Sequence, residues 1–500
     1  MLELFKSIRL DKEDKIPLYT QLYGKIKEMI NEGILCADFR LPSVRRLADA
    51  LHVNRVTVVS AYRQLESEGL VYSKPGSGTY VENAPALTGR SAGKDPDVFL
   101  DELYQQDDLS LISNGQIKID DKTINFASAT PTPDLFPVED FKLVLNEVLE
   151  RDKGNAFGYQ DSQGFYPIRE SIYKVLENKI QGVSPESIQV ISGAQQGIDI
   201  ISKALLKQGD CVITESPTYT GAIAVFKSRG AEIIDVEMQE SGPDLNILEY
   251  SLKQYRPRLI YTIPSFQNPT GYSYSNYKRA QLLNLAEKYN CHIIEDDYVS
   301  DLDFEGKNYT PLKAMDKQDR VIFIKSFSKI FMPGLRLGFM VAPRHLQGII
   351  LEAKHATDIS TSGLIQRAFD LYIRKGFWDR HFKFMYDIYR ERYTLAVKSL
   401  DRNLPDSATY AKPGGGLNIW LKLPMGISAN SLSKHAQAEG IVFAPGKIFY
   451  SRNTPQKLDN IRLSFAAADS GQIEKGMEKL CRMIHLFQQR QVSYQNLPVL

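Results

Sequence analysis

The residues best suited to covalent chemistry gather around Lys329. They lie in Ser326-Phe327-Ser328-Lys329-Ile330-Phe331-Met332-Pro333-Gly334-Leu335-Arg336-Leu337-Gly338, directly after the apolar run 321–324. A lysine just past the end of a buried strand can form a Schiff base with an aldehyde. Ser326 brings a hydroxyl and Arg336 a planar guanidinium fork, and both suit a phosphate. Pyridoxal phosphate is an aldehyde that carries a phosphate.

Other segments could serve the same ligand. Ser192-Gly193-Ala194-Gln195-Gln196-Gly197 follows an apolar run and opens a helical pattern. A glycine turn at a helix start presents free N–H groups to a phosphate, although many strand-to-helix turns contain glycine. Tyr219, in Glu215-Ser216-Pro217-Thr218-Tyr219-Thr220-Gly221, could stack on a flat ring, and a core tyrosine has the same signature. Asn268, in Gln267-Asn268-Pro269-Thr270-Gly271, is also ordinary turn chemistry. In Ile293-Ile294-Glu295-Asp296-Asp297-Tyr298, three acids end a buried run, which is costly unless they are paired. An Asp facing a pyridine nitrogen keeps it protonated. Asp296 and Tyr298 are two apart and share a face of an extended segment, while Asp297 points away and reads as structural.

These residues need a scaffold that presents strand ends. Apolar runs at 188–191, 211–214, 232–236, 259–263, 292–295, 321–324 and 339–342 alternate with amphipathic helical patterns. Such alternation predicts an α/β domain with a mainly parallel sheet, whose ligands sit at the carboxyl ends of strands. The candidate residues fall at those ends.

At 500 residues the chain exceeds one ordinary core. No apolar stretch of ~18 residues predicts a membrane span, and Met1 to Asp14 lacks a signal-peptide core. Cys36, Cys211, Cys291 and Cys481 are scattered and match no metal spacing, so they read as free thiols in a reducing cytoplasm. Cys211 and Cys291 begin predicted strands and read as small core residues.

A net charge of +1 gives no overall pull toward nucleic acid. Between Arg40 and Arg63, however, Arg40, Arg45, Arg46, Arg55 and Arg63 face only Asp49. A DNA site needs its basic residues on one face rather than across the chain. Leu18, Leu22, Ile26 and Ile30 predict a helix that Gly33 ends. Ser43 caps a second helix that ends near Leu51, and Asn54 caps a third over 55–68. Two helices across a tight turn make a helix-turn-helix, with Arg55 and Thr57 in the first turn of the reading helix. Residues 71–73 and 79–81 predict two strands around Lys74-Pro75-Gly76-Ser77-Gly78, a wing whose glycines let the backbone approach DNA. A small helical domain that binds protein is the alternative reading. Residues 83–122 predict an interdomain linker, with a short helix at 99–104.

Two motif sets resemble known families. Leu41-Pro42-Ser43-Val44-Arg45, Thr57-Val58 and Gly76-Ser77-Gly78-Thr79 resemble the winged-helix domain of GntR-type regulators, although Asp38 stands where that family usually has a turn glycine. That resemblance implies contacts to DNA from Ser43, Arg45, Arg55, Thr57 and Gly76. The order of phosphate turn, tyrosine, asparagine, Asp-x-Tyr and Ser-x-Ser-Lys resembles the fold-type I aminotransferases. Gly158-Tyr159-Gln160, Lys412-Pro413-Gly414-Gly415-Gly416 and Asn460-Ile461-Arg462-Leu463-Ser464-Phe465 extend the likeness. It implies pyridoxal 5'-phosphate on Lys329, with Asp296 at the ring nitrogen, Tyr298 and Asn268 at the ring hydroxyl, and Tyr219 stacked. It further implies phosphate contacts from Ala194, Gln195, Ser326, Arg336 and a partner subunit's Tyr159, and a carboxylate on Arg462. No metal is implied.

Joined, the halves resemble the MocR subfamily: a winged helix-turn-helix domain at 1–82, a linker at 83–122, and an α/β aminotransferase-like domain with a small α+β subdomain at 123–500. Two departures are the missing glycine in Phe126-Ala127-Ser128-Ala129-Thr130-Pro131 and the enzyme-like Asn268-Pro269-Thr270-Gly271. The resemblance implies a cytoplasmic homodimer that binds double-stranded promoter DNA. An amino-acid-like effector forms an external aldimine at Lys329 and switches DNA-binding geometry. A working aminotransferase with a DNA-binding domain attached and a sensor of pyridoxal phosphate itself are the alternatives.

Overall fold

A computed structural model describes residues 5, 8, 10, 17–31, 35, 39–51, 53–67, 70–74, 78–81, 122–451 and 459–495. Two units separate, Met1–Pro96 and Asp97–Leu500. Gly76, Asp38, Cys36 and nearly all of the expected linker lie outside the described residues.

In the first unit α1 (Leu18–Asn31), α2 (Val44–Leu51) and α3 (Arg55–Ser67) precede the antiparallel hairpin β1 (Val71–Lys74) and β2 (Gly78–Val81). Leu22 and Ile26, one turn apart on α1, pack with Leu47, Val58, Ala61, Leu65, Val71 and Val81. Ser43 Oγ accepts from Arg46 N at 3.4 Å and Asn54 Oδ1 from Val56 N at 3.0 Å, so both expected caps form. Sequence periodicity did not foresee a third strand segment at the wing. Leu41 N donates to Thr79 O at 2.9 Å and Val81 N to Phe39 O at 2.9 Å, pairing Arg40 with Tyr80.

The second unit opens with β3 (Ile124–Phe126), then α4 (Val138–Asp152) and α5 (Tyr166–Leu176). Its large sheet is built from β4 (Ile188–Ile191), β5 (Cys211–Ser216), β6 (Glu232–Gln239), β7 (Gly242–Pro243), β8 (Leu259–Thr262), β9 (His292–Asp297), β10 (Val321–Ser326) and β11 (Gly338–Val341). The spatial order is β4-β11-β10-β9-β8-β5-β6-β7. β11 runs antiparallel to both neighbours and β7 antiparallel to β6, while the remaining pairs are parallel. Parallel neighbours need crossover helices, among them α6 (Ala194–Leu205) after β4 and α7 (Thr220–Ser228) after β5. The β10–β11 connection needs none, because those strands run opposite ways. Ser326 pairs with Gly338, so the whole Lys329 segment is a loop closed at its base.

A second sheet, ordered β12-β13-β15-β14-β3, forms the small subdomain. It comprises β12 (Thr409–Tyr410), β13 (Asn418–Lys422), β14 (Ile441–Pro445) and β15 (Asn460–Ser464), with β3 joining parallel to β14. Among the described residues, no helix is long and apolar enough to cross a membrane.

Candidate functional site

Five strand ends meet at one edge of the large sheet. After β4 comes Gly193, at φ +89, where α6 begins. A Cβ there would stand 2.6 Å from Arg336 Nη2, so only glycine lets that guanidinium lie over the helix start. Arg336 Nη2 donates to Ser192 O at 2.8 Å. The first N–H groups of α6, from Ala194 and Gln195, have no partners within the helix and directly follow Gly193, against which this cation lies. From the other side of the loop, Ser326 Oγ donates to Ser328 Oγ at 3.1 Å and accepts from Ser328 N at 3.2 Å. Gly338 completes the packing. A Cβ on it would meet Lys325 O at 2.8 Å and Gly193 Cα at 3.3 Å.

After β5, Tyr219 caps α7 and its ring lies against Gly221, where a Cβ would come within 2.6 Å of ring carbons. Gln195 Nε2 reaches across to Gly221 O at 3.0 Å. Its Oε1 is buried and has no hydrogen-bond partner among the described residues.

Asp296, at the end of β9, is 3% exposed. Tyr261 of β8 donates to its Oδ2 at 2.7 Å, while Oδ1 has no hydrogen-bond partner among the described residues. Burial pushes this carboxyl up to about 6. The Tyr261 bond and the positive charge of Lys329 oppose that rise, and Asp297 and Glu215 add to it. The adjacent acids are paired elsewhere. Glu295 accepts from Leu312 N at 2.7 Å and Lys313 N at 2.8 Å, and burial pushes it to about 7. Asp297 binds Lys325 at 2.8 Å.

Tyr298 OH donates to Phe266 O at 2.6 Å and accepts from Asn418 Nδ2 at 3.1 Å. Asn268 Oδ1 accepts from Arg462 Nη1 at 3.0 Å. Arg462 is 1% exposed; its Nη2 donates to Ala127 O, and its guanidinium lies 4.9 Å from the Phe449 ring centre. The stretch that lacks the expected glycine thus touches Arg462 through the Ala127 carbonyl. Lys329, half-buried, offers its backbone carbonyl to Tyr389 OH at 2.9 Å.

The structure therefore brings Arg336 onto Ser192 and Gly193 and Arg462 onto Asn268, while Asp296 meets Tyr261, a residue that was not predicted. Tyr159 stands apart at 84% exposed. Sequence reasoning missed Tyr261, Asn418 and Glu215. Glu215 is buried and accepts from Thr262 Oγ1 at 2.7 Å, Ile263 N at 3.0 Å, Tyr274 OH at 2.6 Å and Gln267 Nε2 at 2.8 Å, which anchors the Asn268 loop. Tyr261 gave no signal, because its partner lies on the neighbouring strand. Asn418 did leave one, as a lone polar residue inside the apolar run Leu417–Leu421.

The residues fit pyridoxal phosphate. An unpaired buried carboxylate oxygen suits a protonated ring nitrogen, and the glycine-lined helix start under Arg336 suits a phosphate. Among the described residues, no cluster of three or more His, Cys, Asp or Glu is placed to hold a metal ion.

In the first unit Ser43, Arg45 and Arg55 are exposed and Thr57 half-buried. Val56, beside Arg55 in the first turn of α3, is 67% exposed.

Residues 121–480 match the aminotransferase class I and II family, and residues 18–81 match the bacterial regulatory proteins of the gntR family. The chain is 31% identical to the uncharacterized HTH-type transcriptional regulator YisV of Bacillus subtilis, over 93% of this chain and 96% of that one. It is 30% identical to the probable rhizopine catabolism regulatory protein MocR of Rhizobium meliloti, over 94% of each chain. The crystal structure of LysN, an alpha-aminoadipate aminotransferase from Thermus thermophilus complexed with N-(5'-phosphopyridoxyl)-L-leucine, superimposes with a TM-score of 0.68. That match has 32% identity and covers 74% of this chain and 96% of that one.

Proposed function

We propose, for a chain that belongs to the aminotransferase class I and II family and carries a gntR-type DNA-binding domain in front of it, as MocR-type regulators do, that it is a transcriptional regulator whose second unit senses an amine. The observation that carries this reading is Asp296: a buried carboxylate with one oxygen unpaired, in the field of Lys329. Pyridoxal phosphate, when bound, supplies an aldehyde carbon that can pass from one amine to another.

Lys329 Nζ would hold that carbon in the resting protein. Asp296 Oδ1 would hold the ring nitrogen, Asn268 and Tyr298 the ring hydroxyl, and Tyr219 would cover the ring. Ala194 N, Gln195 N, Ser326 and Arg336 would take the phosphate, with Tyr159 reaching in from the second subunit of a homodimer. Arg462 takes the carboxylate of the incoming ligand as a forked pair. Lys329 Nζ, once a ligand amine took its place, would hold the proton that the amine gives up. Arg462 belongs to the small sheet and Asn268 to the loop after β8 of the large one, and their hydrogen bond already joins the two where the carboxylate would sit. Ser43, Arg45, Arg55, Thr57 and Gly76 contact DNA, and the dimer sets two winged helices on paired half-sites. The DNA-bound half responds only if the ligand binds two states of the dimer unequally.

Titration of the holoprotein with a panel of amines, read by visible absorption and by binding to its own promoter, tests this. Lys329→Ala should lose the response to ligand. A variant that responds as the parent does sinks the reading. One observation favours a second reading, a working aminotransferase: the full set of residues for an amino-transfer half-reaction is present in a chain similar to LysN. Sustained turnover of an amino donor with a keto acid distinguishes it.

A further inference from the structure

We propose that Asn418 is a specificity-determining residue, and that the ligand of this site is an amino acid that bears, besides its amine and carboxylate, a hydroxyl or amide group that donates to Asn418 Oδ1. This rests on the reading of the site as an amine sensor.

Asn418 begins β13 and is fully buried. In the register of the small sheet Asn418 pairs with Ser464, and Trp420 with Arg462. Residues two apart, and their paired partners, share a face. Asn418 therefore stands on the same face as Arg462, one pair away. Its amide also reaches Tyr298, two residues beyond Asp296. The side chain thus shares a face with the group assigned to the ligand's carboxylate and touches a group assigned to the cofactor ring.

The network dictates which way the amide points. The Tyr298 proton goes to Phe266 O at 2.6 Å, so toward the Tyr298 oxygen Asn418 can only donate. Nδ2 takes that place at 3.1 Å, and Oδ1 is left as the acceptor. Oδ1 is buried and has no hydrogen-bond partner among the described residues. Its paired neighbour cannot supply a proton, because Ser464 Oγ donates to Leu417 O at 3.0 Å. Nor can a carboxylate held on Arg462, which is an acceptor only. A buried acceptor left without a donor is costly, and a side-chain N–H or O–H on the ligand removes that cost. A ligand with a plain alkyl side chain leaves it in place. A site built around such a group discriminates against the analogue that lacks it.

The test uses the full-length holoprotein and amino acids matched in shape: serine against 2-aminobutyrate, threonine against valine, homoserine against norvaline, asparagine against leucine, and 4-amino-3-hydroxybutyrate against 4-aminobutyrate. Apparent Kd values come from the change in visible absorption. In at least one pair the donor-bearing member should bind about tenfold tighter or more. Asn418→Leu and Asn418→Ala should each bring that ratio to within about twofold of one. Two variants guard against one that does not fold, and thermal melting identifies it. If every pair in the parent differs by less than about threefold, or if the preference survives in the folded Leu or Ala variant, the inference is overturned while the sensor reading stands. If no amine alters the absorption, the sensor reading fails and this inference fails with it.

Discussion

Asp296 and Glu215 are buried carboxylates at the ends of β9 and β5, which flank β8, and they differ in how they are held. Glu215 has four donors and Asp296 has one. Burial raises both, and it pushes Asp296 from 3.8 to about 6 against the single bond from Tyr261. The sign follows from linkage: the folded chain keeps a proton that the unfolded chain releases. The stability of the cofactor-free protein therefore falls as pH climbs from about 4 to about 6, by an amount on the order of 3 kcal/mol, and levels off above that. Asp296→Asn removes this dependence. Melting of the cofactor-free pair from pH 4 to 8 should show the variant gaining on the parent through that window, and a gap that ignores pH would refute the assignment. Tyr261→Phe tests the remaining donor. It should weaken cofactor retention by roughly tenfold, the scale of one hydrogen bond to a charged group, and move the pH midpoint of the visible spectrum. Equal retention and an unmoved midpoint would make Tyr261 a packing residue only.

At the scale of elements, the site depends on one reversed strand. Because β11 runs against β10, the chain returns without a crossover helix, and Ser326, Lys329 and Arg336 share one short loop. The loop is closed where Gly338 approaches Lys325 O and Gly193 Cα. Gly338→Ala should cost about 1–3 kcal/mol in thermal unfolding and loosen phosphate binding together, since the added methyl pushes β11 and the α6 start apart. Unchanged melting would mean that the two backbones can part freely. On the DNA side, Arg45→Ala should weaken binding about equally for all sequences and lower the salt slope by about 1, as loss of a phosphate contact does. A change confined to one base position would instead make Arg45 a base reader. The motif-bearing elements were legible because their signals are local. Ser43 and Asn54 cap the helices they were expected to cap, and the apolar runs became strands within a few residues. The third wing segment at Arg40 was not legible, since one paired residue has no periodicity.

For the molecule as a whole, Tyr159 is the telling residue. An aromatic side chain that is 84% exposed and stands apart from the other predicted phosphate groups suits a second copy of the chain. If the partner's Tyr159 completes each site, dilution through the dimer–monomer transition should release cofactor, and Tyr159→Phe should weaken retention without changing the dissociation of the dimer. Retention that is independent of protein concentration would place Tyr159 outside the site.

Residue types and order along the chain were enough to indicate two units and an alternating α/β pattern and to propose the set of groups around Lys329. Each of those depends on neighbours in sequence: a cap, a period, a turn after an apolar run. What the chain order could not contain is which strand lies beside which. Tyr261 reaches Asp296 only because β8 is hydrogen-bonded to β9, and Asn418 meets Tyr298 only because the small sheet approaches the large one. Those pairings place an unpaired oxygen on Asp296 and another on Asn418, and tertiary packing alone decides which buried polar atoms are left for a ligand to satisfy.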